Sequence, residues 1–123
     1  AAYALEKGAP SYQNELYADW LSSDQIHWLA GEEGSIEDYI FFKHSGAHSL
    51  QHIVFWIKDA DDIIFYGGDE APQYKQMIMK YVAKYDTDGK KAMELRAQYA
   101  DQGKSEHWQF LFYHDVKMPT AYL

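Results

Sequence analysis

Tyr39-Ile40-Phe41-Phe42, Leu50-Gln51-His52-Ile53-Val54-Phe55-Trp56-Ile57 and Ile63-Ile64-Phe65-Tyr66 are three dense apolar runs that follow one another closely. His44-Ser45-Gly46 breaks the first from the second, and Lys58-Asp59-Ala60-Asp61-Asp62 breaks the second from the third. β-branched and aromatic side chains suit a pleated surface, and the polar gaps are turn chemistry, so the stretch predicts three antiparallel strands. In the middle run both alternation phases are apolar: Leu50, Val54 and Trp56 on one, Ile53, Phe55 and Ile57 on the other. Such a strand is expected to be central and covered on both faces.

Upstream, Pro10-Ser11 opens a helix with Tyr12, Leu16, Trp20 and Leu21 near one face. Ser22 with Gln25 has capping-box spacing for a short second turn carrying Ile26, Trp28 and Leu29. Gly31 to Ser35 reads as an acidic loop. Downstream, Gly67-Gly68 ends the third strand, and Asp69 or Glu70 is placed to cap a helix with Pro72 in its first turn. Tyr74, Met77, Ile78, Tyr81, Val82 and Tyr85 form the cleanest amphipathic pattern in the chain and predict a long helix. Asp86-Thr87-Asp88-Gly89 breaks it. Its register does not match a calcium loop, since Lys84 and Leu95 would fall at ligand positions. A further helix is expected from Lys90 to Asp101, with Leu95 and Tyr99 inward and Gly103 at its end. A last strand is expected over His107 to His114.

The fold class that follows is α+β: a single domain over 1–123, with about four mostly antiparallel strands and helices packed on one face, in the order α-β-β-β-α-α-β.

Nineteen acidic residues oppose eleven basic ones, a net charge of −8, and Arg96 is the one arginine. This balance excludes direct nucleic-acid binding, which needs a basic footprint, and disfavours an anionic membrane surface. It permits a basic protein partner. The absence of cysteine excludes disulfides, thiolate catalysis and cysteine-bound metal. No apolar run reaches bilayer length, and the cytoplasm is the favoured compartment. Aromatic residues make up 17% of the chain, more than one small core needs, so some are expected at the surface.

Motifs of chemistry are sparse. His44, His48 and His52 are spaced by four, but Gly46 and the flanking strands place them across a turn. The expectation is ordinary hydrogen bonding for the histidines, with no metal and no cofactor. His114-Asp115 does not form a pair by itself, because neighbours on a strand point to opposite faces. The sequence lacks a G-x-S-x-G elbow and a glycine-rich phosphate loop; Gly67-Gly68-Asp69 is only two glycines at a strand-to-helix junction.

Phe110-Leu111, His114 and Met118-Pro119 resemble a short stretch near the C-terminus of staphylococcal-type uracil-DNA glycosylase inhibitors. The resemblance implies an acidic DNA-mimic protein and carries over no site residue. The leading functional expectation is therefore a small acidic module that binds, and inhibits or regulates, a basic protein. Glu32, Glu33, Asp59, Asp61 and Asp62 would supply charge, and Trp28 and Tyr66 aromatic anchors. The alternative is a small-molecule-binding or catalytic domain with an aromatic pocket between the sheet and the Tyr74–Tyr85 helix, lined by His52, Trp56, Tyr81 and His114. An accessory subunit of a larger complex, homo- or hetero-oligomeric, is the third.

Overall fold

The computed structural model describes residues 15 and 18–123. The chain divides into two compact units, 1–30 and 31–123. In the first, α1 (Ala18–Leu21) is a single turn with no buried residue. Most of the helix expected after Pro10 lies outside the described residues. The capping-box turn does not form: the hydroxyl of Ser23, not Ser22, accepts the backbone N–H of Gln25, and 22–29 holds no helix.

The second unit is α+β. Its elements are β1 (Glu33–Ile36), β2 (Ile40–His44), β3 (Ile53–Asp59), β4 (Asp62–Tyr66), a 3₁₀ turn (Gly68–Glu70), α2 (Tyr74–Ile78), α3 (Gly89–Ser105), β5 (Gln109–Leu111) and β6 (Thr120–Ala121). The six strands lie side by side in sequence order. All pairs are antiparallel except β4–β5, which is parallel because α3 returns the chain to the same end of the sheet.

The three expected strands form, with β3 in the interior of the sheet. The sheet is wider than expected. Gly31 to Ser35 reads from sequence as an acidic loop, but pairing of Glu33–Ile36 with Ile40, Phe41, Phe42 and Lys43 makes an edge strand there. The expected strand His107–His114 shrinks to Gln109–Leu111, and β6 closes its outer side.

Register explains the core. Phe41, Trp56, Phe65, Phe110 and Ala121 are successive cross-strand partners and so share one face. Tyr99 of α3 meets the rings of Trp56 and Phe65 on that face. Trp108 stacks on Phe65 at 5.5 Å. Gly103 lies inside α3 instead of ending it, because a Cβ there would sit 2.4 Å from Cζ of the fully buried Phe110. The opposite face presents Phe42, Phe55, Tyr66 and Leu111 as another row of partners, most of them half-buried.

The long amphipathic helix is the clearest departure. α2 stops at Ile78, and Tyr81, Val82 and Tyr85 are exposed. Residues 79–88 instead run as an irregular strap that is hydrogen-bonded into the site described next.

Candidate functional site

Antiparallel pairing brings the end of β2, the start of β3 and the end of β4 to one edge of the sheet, and the parallel β5 ends there too. Four histidines and three buried or half-buried acids collect at this edge.

His52 precedes β3. Its Nε2 accepts the backbone N–H of Asp69 at 3.1 Å. Nδ1 therefore carries the ring proton and donates to Oγ of Ser45 at 2.9 Å, while that hydroxyl donates to the His52 carbonyl. Burial is the main cause that lowers its pKa below the ordinary 6.5, opposed by the charge of Glu70. Both ring nitrogens are thus committed, so His52 acts as a brace and is not open to a ligand.

His48 lies in the loop between β2 and β3. Its Nδ1 is 3.0 Å from Oδ1 of Asp86, whose side chain is wholly buried. A carboxylate accepts only, so Nδ1 donates, and in the neutral ring Nε2 keeps its lone pair. That nitrogen is 3.6 Å from Oδ2 of Asp69. From the other side, Nε2 of His114 is 3.6 Å from Oδ1 of Asp69. The hydroxyl of Tyr113 also donates to Oδ1; burial first, then this bond to Asp69, pushes the Tyr113 hydroxyl pKa up. The His114 carbonyl accepts from Nε2 of Gln73, and its N–H donates to the Pro72 carbonyl. The two histidines are thus delivered to one carboxylate by separate loops.

The separations are informative. At 3.6 Å they exceed a hydrogen bond, whose upper range is about 3.2 Å. They approach the spacing of two ligands that share a tetrahedral ion, about 3.4 Å for bonds of about 2.1 Å. Two imidazoles and one carboxylate are also a donor set that suits zinc. Among the described residues, no three such side chains are already drawn in around one metal position. His114, with 57% of its side chain exposed, is the member that faces solvent.

His44 shares this edge but has its own partner: its Nδ1 pairs with Glu32 at 3.1 Å. The evenly spaced trio of the sequence therefore takes three different sets of partners, although the rings of His48 and His52 meet edge-on at 5.8 Å. The partners that matter for His48, Asp69 and Asp86, were read from sequence as helix caps or breaks. The signal available was Gly67-Gly68-Asp69, a tight turn directly after a strand. Tyr113 carried no signal.

The residues proposed for partner binding are divided. Asp59, Asp61 and Asp62 make the exposed β3–β4 turn at the opposite edge, beside Glu37 and Asp38 of the β1–β2 turn. Glu32 and Glu33 lie at the histidine edge. Trp28 is exposed in the first unit, and Tyr66 is half-buried on β4 with its ring 6.0 Å from Tyr113. Of the expected pocket residues, His52 and His114 both reach Asp69, Trp56 packs in the core, and Tyr81 lies exposed on the strap. A groove of about 360 Å³ lies between α2 and α3, lined by Met77, Met79, Met93 and Arg96 among others, and His52, Trp56, Tyr81 and His114 are not among its lining residues.

Comparison with protein families and with curated proteins gives no match. Solved structures do match. A probable metal-dependent hydrolase from Staphylococcus aureus aligns with a TM-score of 0.71 at 24% identity, over 76% of this chain and 34% of its own. AidC, a dizinc quorum-quenching lactonase, aligns with a TM-score of 0.60 at 13% identity, over 76% of this chain and 32% of its own. The chain spans about a third of the length of each. The likeness is one of fold.

Proposed function

We propose that His48, Asp69 and His114 hold a divalent cation of the zinc type, and that this centre serves hydrolysis. The observation that carries the reading is His48. A buried carboxylate fixes one nitrogen of its ring and leaves the other directed at Asp69, the arrangement by which outer carboxylates orient metal-binding imidazoles. The printed descriptions of the two similar structures, one a metal-dependent hydrolase and one a dizinc lactonase, point the same way.

A zinc ion held there would supply an acidified water and polarise a carbonyl oxygen. This chain's own residues do the holding. The backbone N–H of Asp69 is tied to His52 and its Oδ1 is oriented by Tyr113, so the carboxylate has little freedom to turn away. The exposed imidazole of His114 marks the side from which substrate and water arrive. Carboxylic esters and lactones are the substrate class to try first. The test is hydrolysis of an ester and lactone panel by zinc-loaded protein, compared with Asp69→Asn. Turnover that requires zinc and disappears in the variant supports the reading. Equal turnover by the metal-free protein and by Asp69→Asn overturns it.

A second reading keeps the acidic protein-binding role. Glu37, Asp38, Asp59, Asp61 and Asp62 share one exposed edge with Tyr39, away from the histidines. Binding to a basic protein bait should weaken steeply with salt and with Asp59, Asp61 and Asp62 changed to Asn. Binding that is insensitive to both would count against it.

A further inference from the structure

We infer that Asp86 is a positioning residue that sets the tautomer of His48, and that the 79–88 strap leaves helical geometry in order to deliver it. The inference deepens the metal reading above, but the tautomer is a property of the metal-free protein.

Four residues close a ring of contacts. The backbone N–H of His48 donates to Oε1 of the fully buried Glu70 at 2.8 Å. The Glu70 carbonyl accepts from Nη1 of Arg96 at 3.0 Å. Nη2 of Arg96 is 3.7 Å from Oδ2 of Asp86, and Oδ1 of Asp86 returns to the ring of His48 at 3.0 Å. Arg96 is 2% exposed and the Asp86 side chain is wholly buried, so both charges are held in a medium where an unmatched one is costly.

The strap is built around this ring. Oδ2 of Asp86 accepts the Ala83 N–H at 2.8 Å. The N–H groups of Thr87 and Asp88 donate to the carbonyls of His48 and Ala47. Arg96 also donates to the Tyr81 carbonyl. Backbone groups that a continued helix would have paired internally are paired with the histidine loop instead, and Asp88 then caps α3 by accepting the Lys91 N–H at 3.0 Å.

The consequence is chemical. A histidine in water favours the proton on Nε2. That proton would point at Asp69 and close the nitrogen to a cation. Asp86 draws it to Nδ1, and Nε2 remains a donor of electrons.

Long-range ¹H–¹⁵N NMR of the metal-free protein at about pH 8, above ordinary histidine titration, reads this directly. The wild type should show His48 protonated at Nδ1. Asp86→Asn should switch the ring to Nε2–H, since the single amide oxygen is taken by the Ala83 N–H and faces Arg96, and the amide NH2 then meets Nδ1. A folded Asp86→Ala should move to the Nε2–H form and bind zinc about 10- to 100-fold more weakly. An Nε2–H tautomer in the metal-free wild type overturns the inference even if zinc binds. An Nδ1–H tautomer without zinc binding leaves the inference standing and removes the metal reading. If Asp86→Ala does not fold, the wild-type and Asp86→Asn spectra decide.

Discussion

The ring of His52 accepts the backbone N–H of Asp69, 3.1 Å away, and so ties the loop before β3 to the turn after β4. Protonation of that ring would replace the acceptor with a donor and set it against the N–H.

The pH dependence of stability follows from this bond. The folded-state pKa of His52 is lowered from 6.5, so as pH falls the unfolded chain takes up the proton first. The contribution of His52 to stability is full above 6.5, falls as pH drops through that value, and stops falling once the folded ring is also protonated. Denaturant unfolding between about pH 8 and 5.5 should show declining stability, and His52→Gln should flatten the decline. An unaltered slope in the variant would place its origin elsewhere.

Phe65 is the hub of the core. It is fully buried and touches Trp56, Tyr99, Trp108 and Phe110. Phe65→Ala should cost about 3–5 kcal/mol, the loss of transfer energy plus a cavity that four rings cannot collapse to fill. Against a total of about 5–15 kcal/mol for a domain of this kind, the urea midpoint should fall sharply. A midpoint close to wild type would show that the rings repack.

Arg96→Met keeps much of the side chain's length while removing its charge. Asp86 would then be a buried carboxylate with no cation, and the carbonyls of Glu70 and Tyr81 would each lose a donor. The expected loss is about 3–5 kcal/mol. The exposed pair Lys90–Glu94 is the contrast: Lys90→Met should change stability by less than about 1 kcal/mol. Similar losses for both variants would mean that burial of the Arg96 pair has no special weight.

The strands of the sheet were legible because Tyr39–Phe42, Leu50–Ile57 and Ile63–Tyr66 are dense in aromatic and β-branched residues between polar turns, and pairing only had to align them. β1 was not, because Gly34 and Ser35 gain strand geometry only from the neighbouring Phe42 and Phe41. The Tyr74–Tyr85 pattern misled for the opposite reason. Its apolar period is real, but Arg96, His48 and Ala47 compete for the backbone of 79–88, and tertiary hydrogen bonds prevail over a weak local preference. The site was legible only in fragments. His48, Asp69 and His114 lie far apart in the chain, and the register of β4 beside β5, joined across α3, is what sets the last two together.

Zinc stoichiometry tests the central claim most directly. Chelator-stripped protein, titrated with zinc by calorimetry, should bind one ion per chain, with proton release as expected when imidazole and carboxylate become ligands. His48→Ala and Asp69→Asn should each weaken that binding on the order of a hundredfold or more. Absence of saturable binding, or equal binding by wild type and by both variants, would contradict the account.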